Sequence, residues 1–230
     1  MAVTSAAKKK GLLRKVTSVT DAVTLIPNGA VLMVGGFMGA GTPRRLIDEL
    51  VRQGKHELTV IANDTARPGV GIGKLIDAKL VRRVIASHIG TNKETQRQMI
   101  EGEIDVELVP QGTLVERVRA GGFGLGGVLT STGAGTVVAE GKRSIEIDGR
   151  TFLLELPLSA DFSLLNARRA DYYGNLEYAL TSRNFNPVMA MAGRVVIAEP
   201  DEIVPVGAIP PDAVVTPSAL VHHLIGAARG

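Results

Sequence analysis

The residues best suited to chemistry are a glycine loop, one acid, one glutamine and four histidines, because the 230-residue chain has no cysteine. That absence removes thiol nucleophiles, disulfides and thiolate metal ligands. The loop, Gly35-Gly36-Phe37-Met38-Gly39-Ala40-Gly41, follows an apolar run at 30–34 and precedes a helix start at Thr42-Pro43. Small residues between a strand and a helix N-terminus can turn backbone N–H groups toward an anion or an amide-rich ligand. They can equally make a tight turn that needs positive φ. A dinucleotide fingerprint fails on glycine order, since Gly36 to Gly41 reads G-x-x-G-x-G instead of G-x-G-x-x-G, although Asp64 stands near the place of a ribose-binding acid. No Gly-Lys-Ser/Thr follows, so the phosphate loop of nucleoside triphosphatases fails too. Gln111 sits between a strand and a helix, where open α/β sheets place ligand groups; spacing alone favours a glutamine that bonds its own turn. His56, His88, His222 and His223 show no ligand spacing, the last two diverging by about 100° on an expected helix, and no metal is expected. His88 reads as a satisfied structural histidine.

The elements that must position these groups follow from apolar patterning. The continuous apolar run at 30–34 reads as a strand buried on both faces, and 58–62, 84–87 and 106–109 as three further buried strands. Between them, Leu46, Ile47, Leu50 and Val51 share a helical face stopped by Gly54, and Thr91-Asn92-Lys93-Glu94 has capping-box spacing before a helix that closes at Gly102. A further helix covers 113–120. Beyond Gly141, strands at 144–147 and 151–156 flank Asp148-Gly149, a hairpin signal. Strands at 162–167 and 194–198, a helix from Pro187 to Ala192, and a last helix from Thr216-Pro217 complete the pattern. This predicts an α/β fold, an open, mostly parallel, doubly wound sheet with helices on both faces and an antiparallel hairpin insert. Residues 16–230 are expected to form one domain after a basic, disordered tail at 1–15, where Lys8, Lys9, Lys10, Arg14 and Lys15 meet no acid. Without that tail the net charge of +3 falls to near −2. Aromatics are only 3% and tryptophan is absent, so nucleic-acid binding by stacking is not expected. The longest uncharged, mainly apolar stretch, 30–41, is too short for the roughly 18 residues of a membrane span, and no secretory signal opens the chain, which gives a cytoplasmic expectation.

Several segments, in order, resemble the α (A) subunit of the class I coenzyme A transferases, of the bacterial acetate/acetoacetate type. They are Asn28-Gly29 with Leu32-Met33-Val34-Gly35-Gly36-Phe37 and Gly41-Thr42-Pro43; Ile61-Ala62-Asn63-Asp64-Thr65; Ile85 to Asn92; and Val109-Pro110-Gln111-Gly112-Thr113-Leu114. Ala120-Gly121-Gly122, Thr132 to Thr136, Gly174-Asn175-Leu176 and Arg183-Asn184-Phe185-Asn186-Pro187 continue the match along nearly the whole chain.

The resemblance implies a cytoplasmic enzyme of short-chain fatty acid and ketone-body metabolism that moves CoA between an acetyl- or succinyl-CoA type donor and a short-chain or 3-oxo acid of the acetoacetate type. CoA is then a substrate, with no permanently bound cofactor. It implies a β-subunit partner, in an α2β2 heterotetramer, carrying the nucleophilic glutamate in a Ser-Glu-Asn-Gly-type motif. No such tetrapeptide occurs here, so the chain alone is expected to be inactive; Glu155, the one tempting internal substitute, reads as an ion-paired strand carboxylate. It assigns Gln111 the role of a side-chain amide that supports the oxyanion, and Gly35, Gly36, Phe37, Met38, Gly39, Ala40 and Gly41 the CoA side of the pocket. The stretch Gly121 to Gly135 either lines the acyl pocket or folds back over the sheet. The competing readings are a stand-alone CoA- or nucleotide-binding module and an NAD-dependent oxidoreductase.

Overall fold

In the central strands alternate side chains enter two different cores, so the sheet must be covered on both faces. Leu32 and Val34 pack with Val60, Ala62, Val84 and Ala86 into one core, while Met33, Ile61 and Ile85 point into the other. A computed structural model describes residues 15–226. Its elements are β1 (Val16–Thr17), α1 (Val19–Thr24), β2 (Val31–Val34), α2 (Arg44–Arg52), β3 (Leu58–Asp64), α3 (Gly73–Asp77), β4 (Val81–His88), α4 (Lys93–Ile100), β5 (Asp105–Leu108), α5 (Gln111–Gly122), β6 (Val128–Thr130), β7 (Ser144–Ile147), β8 (Arg150–Glu155), β9 (Ala160–Asp171), β10 (Leu176–Glu177), α6 (Asn186–Ala192), β11 (Gly193–Val204) and β12 (His223–Ile225).

The main sheet runs β1-β12-β11-β9-β2-β3-β4-β5, with every neighbouring pair parallel; β10 adds an antiparallel pair to β9. From β2 the chain winds outward to β5, and from β9 it winds the other way through β11 to β12. The strand order therefore reverses between β2 and β9. Helices α1, α2 and α3 supply the first core and α5 and α6 the second, as a doubly wound sheet requires. The hairpin insert is a separate antiparallel sheet, β6-β8-β7, turned by Asp148 and Gly149 at φ 49° and 71°. Among the described residues no helix is long and apolar enough to cross a membrane.

Four local expectations are corrected. Thr42 does not cap α2: Pro43 occupies the N-cap position without a side-chain bond. The carboxylate of Glu199 on β11 caps the helix instead, accepting from Arg45 N at 3.1 Å and Leu46 N at 2.9 Å. At α4 the cap is Asn92, one residue later than Thr91; its Oδ1 accepts from Glu94 N and Thr95 N, both at 3.1 Å. The strand expected to be buried at 106–109 is β5, an edge strand with no buried residue. The helix expected from Thr216-Pro217 is a single 3-10 turn at Ser218–Leu220 followed by β12, because the last apolar residues pair in parallel with β11 and β1. His222 and His223 therefore lie on extended chain, and His222 Nδ1 accepts from Val196 N at 3.0 Å. Residues 1–14 of the expected tail lie outside the described residues; Lys15 is tied to β12 by its carbonyl, which accepts from Leu224 N at 2.8 Å.

Glu199 is 7% exposed, so its removal leaves two helix-end amides without an acceptor. Glu199→Ala should cost about 1–3 kcal/mol in urea unfolding. Glu199→Gln, which keeps one acceptor oxygen, should lose less; equal losses would contradict the capping role.

Candidate active site

The crevice outside the carboxyl ends of strands, where strand order reverses, is the place open α/β sheets reserve for ligands. Here that crevice lies between β2 and β9, and the glycine loop occupies it. Gly35 N donates to Leu164 O on β9 at 3.0 Å, carrying the β2–β9 ladder one residue into the loop. Phe37 and Ala40 then exchange two backbone hydrogen bonds of 2.9 Å. Met38 and Gly39 between them stand at φ 51° and 87°, which makes a tight turn of the primed hairpin type. Gly35, Gly36 and Gly39 are buried, Met38 and Gly41 half-buried, and Phe37 and Ala40 exposed. The N–H groups of Gly35, Phe37, Met38 and Ala40 are already bonded within the protein, so a ligand can be met only by the others.

Asp64, at the end of β3, governs this turn. Its carboxylate is buried and accepts from Met38 N at 2.9 Å, Ala66 N at 2.7 Å and Asn63 Nδ2 at 2.7 Å. Both oxygens are thus engaged with the protein, which disfavours the ribose-binding role weighed for an oxidoreductase. Asn63 passes the connection on, because its Oδ1 accepts from Gln111 Nε2 at 2.6 Å. Ser87 Oγ holds the main chain of Asn63, donating to its carbonyl at 2.7 Å. A relay therefore runs from Gln111 through Asn63 and Asp64 to the backbone of the glycine loop.

Gln111 is the first residue of α5 and is exposed. It does not bond its own turn, contrary to what spacing favours. Among the described residues its amide has no partner besides Asn63, which leaves one N–H and the carbonyl oxygen unbonded. His88, at the end of β4, is exposed, and its carbonyl accepts from Thr65 N at 3.3 Å. Gly121 and Gly122 serve packing: a Cβ on either would lie 1.9 Å from Leu158 O or 2.6 Å from Met191 Cβ. Glu155 is buried and paired with Lys142 Nζ at 2.5 Å and Arg117 Nε at 3.8 Å, as expected of an ion-paired strand carboxylate.

The far side of the loop is fixed from the second half of the chain. Asn186, fully buried at the start of α6, donates from Nδ2 to Gly41 O and Ser182 O at 3.0 Å each and accepts Asn166 N at Oδ1. Gly35 owes its identity to this contact, since a Cβ there would fall 1.8 Å from Asn186 Oδ1. Asn186 lies in a motif the sequence singles out, but neither it nor Asn63 was expected in the site.

Against this geometry, the model of the coenzyme A transferase family matches residues 16–227. The chain belongs to the coenzyme A transferase family. It is 56% identical over 211 residues to the acetate CoA-transferase subunit alpha of Escherichia coli strain K12, covering 92% of this chain and 96% of that one. It is 48% identical over 198 residues to the acetoacetyl-CoA:acetate/butyrate CoA transferase alpha subunit of Clostridium acetobutylicum, covering 86% and 91%. A solved acyl-CoA transferase from Escherichia coli O157:H7, in a thioester complex with CoA, has the same fold at TM-score 0.80 and 23% identity over 92% of this chain; this chain spans 46% of that one.

The Gly35–Asn186 contact is testable by a double-mutant cycle. Gly35→Ala and Asn186→Ala should each destabilise by about 1–3 kcal/mol. The double variant should lose less than the two together, by more than about 0.5 kcal/mol, because the second change removes the collision created by the first. Simple additivity in chemical denaturation would refute the contact.

Proposed function

We propose that this chain is the α subunit of a heteromeric enzyme that moves CoA between a short-chain acyl-CoA, of the acetyl- or succinyl-CoA type, and a short-chain or 3-oxo acid of the acetoacetate type. The observation that carries this reading is the relay joining Gln111 to the glycine loop, in a chain whose relatives are named as alpha subunits of such transferases. The alternatives are a free-standing nucleotide module and a dinucleotide oxidoreductase. The second lacks its ribose acid, since Asp64 is engaged by three donors within the protein.

The reaction needs a nucleophilic carboxylate; among the described residues Asp64 at the crevice is engaged by three donors and Glu155 is committed to Lys142. A glutamate of the β subunit attacks the acyl carbonyl; the C–S bond breaks, CoA leaves as thiolate, and an acyl-glutamyl anhydride forms. The thiolate attacks the glutamyl carbonyl and expels the donor acid as its carboxylate, leaving a glutamyl-CoA thioester. The acceptor carboxylate then runs the same steps in reverse. Each addition puts negative charge on a carbonyl oxygen, and a pre-aimed amide donor stabilises it without reorganising at the moment of reaction. Gln111 supplies that N–H in this proposal. Asn63 takes the other hydrogen of the same amide and so fixes its direction, while Gly35 to Gly41 form the CoA side of the pocket. The assembly is an α2β2 heterotetramer working in the cytoplasm, with CoA as substrate.

Reconstitution with the β chain tests this. The pair should transfer CoA from acetyl-CoA or succinyl-CoA to acetoacetate or another short-chain acid, and the purified α chain alone should transfer none. Gln111→Ala should lower kcat of the pair by roughly 10²–10³-fold with little change in stability. Unchanged turnover would remove Gln111 from the chemistry, and transfer by the α chain alone would overturn the division of labour.

A further inference from the structure

Met38 is out of place by its own backbone. The first central position of a primed turn needs positive φ, which suits glycine, asparagine or aspartate. Here a methionine holds it at φ 51°, between Phe37 and Gly39. Strain of this kind persists only where the surroundings enforce it, and it gathers at ligand clamps. Asp64 enforces it by accepting from Met38 N at 2.9 Å. The side chain belongs to neither core of the sheet and stands half-buried at the carboxyl edge. Core packing therefore does not account for it.

The Met38 side chain spans two connections at that edge. Its sulfur lies 3.4 Å from Thr91 Oγ1, on the turn between β4 and α4. The same hydroxyl donates to Ala66 O at 2.9 Å, on the connection from β3 to α3. Ala66 is itself bent to φ 54°, and its N–H is taken by Asp64. Thioether, hydroxyl and carbonyl thus fix one another across three loops.

The β3–α3 connection, bent again at Gly69 and Gly71 with φ 73° and 50°, presses on the glycine loop. A Cβ on Gly39 would lie 2.6 Å from Val70 Cγ1, and one on Gly71 would lie 3.6 Å from Gly39 Cα. Val70 keeps 38% of its surface exposed at this turn. Two apolar side chains from different loops therefore reach the crevice beside its polar relay. Met38 N is only three hydrogen bonds from the Gln111 amide, through Asp64 and Asn63.

We propose that Met38, backed by Val70 and held by Thr91, sets the longest acyl chain this enzyme accepts. The inference rests on the transferase reading. A carbonyl held at the Gln111 amide must lay its alkyl part along the same edge of the sheet. There the thioether is an apolar, unbranched stop whose place Thr91 and Ala66 fix. Short chains end before it, and each further methylene has to displace it. The backbone of the glycine loop then serves CoA, and its one strained side chain serves the acyl group. A glycine at this position would relieve the strain and leave the stop absent.

The test uses the reconstituted two-chain enzyme with Met38→Gly, Met38→Ala and Val70→Ala. Straight-chain acyl-CoA donors from acetyl to octanoyl are compared with one fixed acceptor acid. Wild type should lose kcat/KM steeply beyond a short length. Met38→Gly should move that limit outward by about three carbons, since each methylene newly buried is worth roughly four-fold. The ratio of kcat/KM for hexanoyl-CoA to that for acetyl-CoA should thus rise at least about ten-fold. Met38→Ala should shift the limit in the same direction, and Val70→Ala by less. Parallel length profiles for wild type and the Met38 variants overturn the proposal, whatever happens to stability. So does a wild type that accepts every length equally. Variants whose only defect is weaker association with the β chain also overturn it, because Met38 and Val70 would then belong to the subunit contact. If Met38→Gly does not assemble, Met38→Ala decides. A wild-type pair that transfers nothing overturns the transferase reading, and this inference with it, whereas active wild type with parallel profiles removes only the length stop.

Discussion

A buried carboxylate surrounded by N–H donors organises the crevice. Asp64 has no cationic partner among the described residues, and a charge taken out of water must be met by hydrogen bonds or it is strongly disfavoured. Two backbone amides and one side-chain amide meet it. Bonds of this kind contribute about 1.5–3 kcal/mol each. They also have a direction: the Met38 amide must turn inward, which sets the primed turn, and the Asn63 amide must present its nitrogen to Asp64, which leaves its oxygen for Gln111. One carboxyl group thereby fixes the shape of a loop and the aim of a side chain 47 residues further along the chain.

The other fastenings come from the second half of the sequence. Glu199 ends the helix that leaves the glycine loop, and Asn186 bonds the loop's last carbonyl. Both act through groups that cannot shift without exposing an unsatisfied polar atom, so the loop is held at each end by buried polar contacts. The hairpin sheet is joined to the main body by charge: Glu107 on β5 and Glu155 on β8 both face Arg117 of α5. Such a chain of partly buried pairs is costly to break at any one member.

Sequence patterning made the parallel, doubly wound architecture legible because strands buried on both faces leave continuous apolar runs. The glycine loop was visible for a similar reason, since no other residue type permits its close approaches. Boundaries failed where long-range contacts overrode local preference. Thr42-Pro43 has good capping chemistry, yet a glutamate 156 residues beyond Pro43 does the capping. Ser218 to Ile225 could continue as a helix, but an open strand edge on β11 captures it. Arg168 and Arg169 look like the end of a strand, yet β9 continues past them to Asp171 because β11 pairs with it that far and β10 pairs on its other side. The pairing of Gln111 with Asn63 joins two strands' ends, a relation that neither spacing nor hydrophobic period encodes.

The strand order also dictates a sequence of events during synthesis. Strands β2 to β5 emerge first and can pair among themselves, but the other edge of β2 is completed only by Leu164 and its neighbours. Until those residues leave the ribosome, the apolar backbone of Val31 to Val34 presents unpaired N–H and C=O groups beside the forming crevice. Translation thus passes through an interval in which this edge of β2 stays open beside the forming crevice until β9 arrives.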